Sequence, residues 1–162
     1  MTSRALALAA AALVVVGLVI VLLLDDDGSD TPSPYVRVAE QRCKGANLAI
    51  ERVDRQVRSL APAERSARRA ESVFEIVGEM RAELLTLPVE KSEGLQATTF
   101  AAALLEAEKG LILVRNATWS GSARLPAQTV QETATAMGEV RSAAQSLDLP
   151  ACARLEIFAL SG

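Results

Sequence analysis

The chain has 162 residues, half of them apolar but only 3% aromatic, with 17 basic and 20 acidic side chains, a net charge of −3 and no histidine. That absence excludes imidazole general bases, His-bearing catalytic triads and histidine pH switches, and it removes the commonest ligand of catalytic zinc. A balance this near neutrality also argues against nucleic acid as a partner.

Residues 5–24, ALALAAAALVVVGLVIVLLL, contain nineteen apolar residues, one glycine and no charge. As a helix rising ~1.5 Å per residue they would span roughly 30 Å, the thickness of a bilayer core, so the sequence predicts a transmembrane signal anchor with the lipid bilayer as its partner. Secretory h-regions are shorter and end in small residues, whereas this run stops at Leu22-Leu23-Leu24 against Asp25-Asp26-Asp27. Cleavage of the segment, giving a secreted form, is the alternative. Residues 1–4 are then a cytoplasmic N-terminus, and a single-pass topology places the rest of the chain outside. Residues 25–34, DDDGSDTPSP, carry four aspartates and two prolines and predict an extended, hydrated tether.

Helical periodicity governs residues 35–154. Val36, Ala39, Cys43, Ala46, Ile50, Val53, Val57 and Leu60 follow at alternating spacings of three and four, an unbroken seam for a first helix. A second begins near Pro62 and follows Ala67, Ala70, Phe74, Val77, Met80, Leu84 and Leu87 to a boundary at Pro88. A third runs through Ala97, Phe100, Leu104, Ala107, Leu111 and Val114 and ends before Asn116 and Ser120-Gly121-Ser122. A fourth, opened by Pro126 and closed by Asp148 and Pro150, follows Ala127, Val130, Ala134, Met137, Val140, Ala144 and Leu147. Short connections between such helices predict an all-α fold, an N-terminal single transmembrane helix followed by an antiparallel up-down four-helix bundle. A long coiled-coil dimer suits the repeated breaks less well.

Up-down topology makes the first and fourth helices neighbours and brings Cys43 and Cys152 to one end of the bundle. In an exported domain such a pair predicts a disulfide closing a loop of ~110 residues, worth roughly 4–5 kcal/mol in the chain-entropy model. Two cysteines so far apart lack the CxxC spacing of redox and zinc sites.

Charge is unevenly spread. Residues 37–69 carry nine basic side chains against four acidic ones, and residues 70–110 carry eight glutamates against three bases. Arg52, Arg55, Arg58, Arg65, Arg68 and Arg69 are therefore candidates for contact with an acidic partner or an anionic surface. The plainer reading is a solvated face paired with the glutamates of the second helix. Trp119 either anchors a partner or caps the open end of the bundle. Phe158 belongs to an apolar tail, residues 155–162, that either folds back as a cover or docks elsewhere. Glu71, Glu75, Glu79 and Glu83 form a helical surface stripe; without Glu-x-x-His partners it predicts no metal site, and no catalytic or cofactor-binding motif accompanies it.

The segment Leu147-Asp148-Leu149-Pro150-Ala151-Cys152, with the apolar leader, polar spacer, early cysteine and Ala/Arg-rich helices, resembles small exported or membrane-anchored helical proteins of actinobacteria. The resemblance implies an envelope location and a disulfide, and no activity. The sequence thus predicts a membrane-tethered, extracytoplasmic helical interaction module, an accessory or scaffold subunit with a protein partner and no catalysis. A bundle binding a small ligand or lipid in its alanine-lined interior is the alternative.

Overall fold

Ser33 starts the first helix. Its Oγ accepts the Val36 amide at 3.2 Å, and Pro34 takes the first helical position, where a missing N–H costs nothing. The structure is a computed structural model describing residues 32–120 and 125–158. Helix α1 (Pro34–Val57) is followed by α2 (Pro62–Leu84), α3 (Gly94–Trp119), α4 (Ala127–Ser146) and a short α5 (Pro150–Ala153). Among the described residues there is no strand.

Each long helix packs on the next in sequence, and α3 lies between α2 and α4. Ion pairs Arg42–Glu83 and Arg69–Asp54 join early α1 to late α2 and late α1 to early α2, so the two run antiparallel. Phe100, Leu104 and Leu111 of α3, Val73 and Val77 of α2 and Val140 of α4 are fully buried. Alanines 39, 70, 107 and 144 in the same core leave little side chain between neighbouring backbones.

The close approach expected between the first and fourth helices is not seen: no Cα atoms of α1 and α4 come within 8 Å of each other, whereas α5 lies close to both. The C-terminal segment takes that place because of how α4 ends. The Leu149 amide bonds to Ala144 O at 2.9 Å and the Asp148 amide to Gln145 O at 3.1 Å, with Asp148 at φ 54°. This Schellman turn reverses the chain and delivers Leu149, Leu155 and Ile157 to fully buried positions. Glu40 of α1 accepts the otherwise uncapped Ala151 amide at the start of α5, and Asn47 Nδ2 donates to Ala151 O. The Cys43–Cys152 disulfide, with Cα atoms 5.0 Å apart and both residues buried, joins α1 to α5. Met80 Sδ packs 3.7 Å from Cys43 Sγ.

Helix α4 departs from its expected face in its first half, while Val140, Ala144 and Leu147 are buried as expected. Thr129, Thr133 and Ala136 are buried in its first half, while Ala127, Val130 and Ala134 are exposed. Thr133 is tolerated inside because its hydroxyl donates to Val130 O within the helix. Gly110 of α3 supplies the room: a Cβ there would lie 2.8 Å from Phe158 Cζ and 3.2 Å from Thr133 Cγ2.

The transmembrane and signal-anchor expectation is corrected: among the described residues no helix is long and apolar enough to cross a membrane. The reason is charge within the helices. Even α3, the longest at 26 residues, carries Glu106, Glu108, Lys109 and Arg115 among its apolar positions. Residues 5–24, on which that expectation and the bilayer contact rested, lie outside the described residues, as do residues 25–31 of the tether, residues 121–124 and residues 159–162 of the tail.

Candidate functional site

The six candidate arginines do not form one surface. Arg52, Arg55, Arg58 and Arg68 are exposed around the α1–α2 turn, with Arg55 4.0 Å from Glu51 and Arg68 3.9 Å from Glu71. Arg65 turns back to donate from Nη2 to Leu60 O, and its Nε is buried without a partner. Arg69 is buried and holds the C-terminal segment in place. Its Nε donates to Asp54 Oδ1 at 2.6 Å, Nη1 to Ile157 O and Nη2 to Glu156 O, both at 2.7 Å. The rigid guanidinium fork suits three fixed acceptors, so Arg69 is a structural clamp and not a surface contact.

Trp119 is 59% exposed at the end of α3, so it does not cap the core. Phe158 is half-buried against Gly110, and the described part of the apolar tail folds inward. The glutamate stripe of α2 takes part in scattered pairs, Glu71 with Arg68 and Glu83 with Arg42. No group of three or more His, Cys, Asp or Glu residues is placed to hold a metal ion among the described residues.

A buried ion pair escapes sequence reasoning. Glu108 of α3 is 6% exposed and meets Arg81 of α2 through Nε–Oε1 at 2.5 Å and Nη2–Oε2 at 3.2 Å. The hydrogen bond to Glu108 raises the Arg81 pKa; burial opposes this and Coulombic attraction reinforces it. The sequence carries no signal for it: a Cβ at Gly78, which faces the pair, would lie at an ordinary contact distance of 4.0 Å from Glu108 Cδ. Tyr35 is likewise buried, and desolvation, followed by the charge of Glu93, raises its pKa. Glu93 in turn accepts the Ser33 hydroxyl at 2.8 Å.

Between α3 and α4 runs an open groove of about 690 Å³, a size typical of ligand clefts at ~300–1,000 Å³. Glu106, Lys109, Gly110 and Leu113 form its α3 wall. Gln128, Gln131, Glu132, Thr135, Ala136 and Glu139 form the α4 wall. Both sets recur at spacings of three and four, so each wall is one helical face. From Gln128 to Glu139 the α4 wall is about 16 Å long, or three turns. Gly110 and Ala136 keep the floor low, and Leu113 stays 42% exposed on the rim. Three carboxylates face one ammonium, and that ammonium is already engaged, with Lys109 Nζ 2.6 Å from Glu106 Oε1. Gln128 Nε2 donates to Glu132 Oε1. The groove is thus negative, helical in outline and partly apolar.

No protein-family model, no curated protein and no solved structure matches this chain.

Proposed function

We propose that the chain is a non-enzymatic helical interaction module, an accessory or scaffold subunit of an oxidising, extracytoplasmic compartment, and that it docks a basic amphipathic segment of a protein partner in the α3–α4 groove. The groove carries the reading. It offers Glu106, Glu132 and Glu139 above a floor of Gly110 and Ala136, with Leu113 as an apolar rim, the features a helix laid in a groove uses for steering and for anchoring. The Cys43–Cys152 bond supports the compartment, since disulfides persist where the medium is oxidising. Glu108, the buried carboxylate, is committed to Arg81 across a helix interface, which favours a structural use of the charge over a catalytic one. The interior-binding alternative draws less support, because Leu149, Leu155 and Ile157 are fully buried and fill part of the core.

Anisotropy titration with a labelled Lys/Leu amphipathic helical peptide and its Glu/Leu counterpart tests the reading. The basic peptide is expected to bind, and Glu132→Arg/Glu139→Arg to weaken it by about tenfold or more. Equal binding of both peptides, or an affinity indifferent to the groove substitutions, would defeat it.

A further inference from the structure

The chain itself carries a segment of the kind the groove fits. On α1, Lys44, Leu48, Arg52 and Arg55 recur at spacings of four, four and three, so they lie on one helical face, and all four are exposed. Leu48 stands 60% exposed on this face, among the three cations and the carboxylate of Glu51. From Lys44 to Arg55 the stripe is about 16 Å long, the same three turns as the α4 wall of the groove. Arg52 makes no ion pair among the described residues; Arg55 reaches Glu51 only at 4.0 Å, and Lys44 reaches Glu40 at 3.5 Å. Across the groove, Glu139 is likewise without an ion pair among the described residues, and Glu132 is held only by a neutral glutamine.

Resting on the docking role proposed for the groove, we infer that its partner is a second copy of this chain: the Lys44/Leu48/Arg52/Arg55 stripe of one copy lies in the α3–α4 groove of another. Leu48 meets the apolar rim at Leu113, and Arg52 and Arg55 meet Glu132 and Glu139. The stripe residues on α1 and Glu132 and Glu139 in the groove are exposed on the same copy, so both surfaces are available at once. The contact joins two different patches, which makes it heterologous, and each copy can both offer a stripe and receive one.

The charge pattern dictates the test. Sedimentation of the full, disulfide-bonded chain in a mild non-ionic detergent is followed against protein concentration and ionic strength, with helicity checked for every variant. For the wild type, mass is expected to rise with concentration at low salt and fall back at high salt. Glu132→Arg/Glu139→Arg, and separately Arg52→Glu/Arg55→Glu, each weaken self-association by about tenfold or more. An equimolar mixture of wild type with either variant stays intermediate. A mixture of the two variants regains concentration-dependent association with the two variants in equal proportion, because the two reversed surfaces still complement each other and the two unaltered ones remain. A concentration-independent wild-type mass, association indifferent to both pairs of substitutions, or failure of the variants to pair with each other overturns the inference. If the basic peptide still binds the groove of a chain that stays monomeric, the docking role stands and only the identity of the partner falls.

Discussion

Asp148 occupies a backbone conformation that suits glycine. Its φ of 54° places it in the left-handed region at the turn closing α4, where a Cβ meets the following carbonyl oxygen. Asp148→Gly is expected to raise stability by about 0.5–1 kcal/mol, read as a higher urea midpoint at unchanged slope. A lower midpoint would show that the carboxylate makes a compensating contribution. Tyr35 permits a cleaner experiment, being the only tyrosine. Its pKa is raised from 10.0 in the folded state, first by burial and then by Glu93. A raised pKa favours the protonated, folded form, so this contribution is complete below pH 10 and is lost as pH climbs through the higher folded value. The tyrosinate absorbance band is expected to appear only above pH 10, together with unfolding, and Tyr35→Phe to lessen the alkaline loss of stability. Ionisation of a native protein at the ordinary value would contradict the burial. In the sequence Asp148 reads only as a helix stop, and Tyr35 stands beside the seam position Val36. The helical period is too coarse to decide between adjacent residues at a helix start.

At the scale of elements, the α3 seam was fully legible: all six of its predicted positions are buried. Helix α2 follows its predicted face closely, with Val73 taking the innermost place beside a half-buried Phe74. Helix α4 does so only in its second half, at Met137, Val140, Ala144 and Leu147, because apolar spacing identifies a face only where the helix packs by its most apolar stripe. In its first half the small Thr129, Thr133 and Ala136 stripe faces inward, next to Gly110, leaving Val130 43% exposed. The C-terminal segment was legible as apolar but not as a core element, since its place depends on the Schellman turn and on Arg69, a residue that reads as surface charge. Two substitutions test these assignments. Removal of the fork in Arg69→Met leaves the Ile157 and Glu156 carbonyls without their donor and is expected to cost about 2–3 kcal/mol. Arg81→Met strands the buried Glu108 and is expected to cost about 3–5 kcal/mol, most of it recovered in Arg81→Met/Glu108→Leu. Urea unfolding of the single and double variants decides both; a neutral Arg69→Met would mean that the clamp is incidental.

At the scale of the whole molecule, a modest core is closed by a covalent bond. The 109-residue separation of Cys43 and Cys152 corresponds to roughly 4–5 kcal/mol in the chain-entropy model, a large share of the stability of a small domain. Such a bond is a long-range constraint that two cysteines make legible from sequence alone. The groove was not legible, because it belongs to two helical faces whose mutual placement follows from the face that α4 turns inward in its first half. Histidine's absence directed attention away from catalysis but gave no indication of where a partner would sit. That position is the central claim, and amide chemical-shift mapping of the isotope-labelled chain with the Lys/Leu amphipathic peptide tests it most directly. The account predicts shifts concentrated at Glu106, Lys109, Leu113, Gln131, Glu132 and Glu139. Shifts confined to the α1–α2 turn, or to the exposed Leu85 and Leu95 flanking the α2–α3 connection, would contradict it.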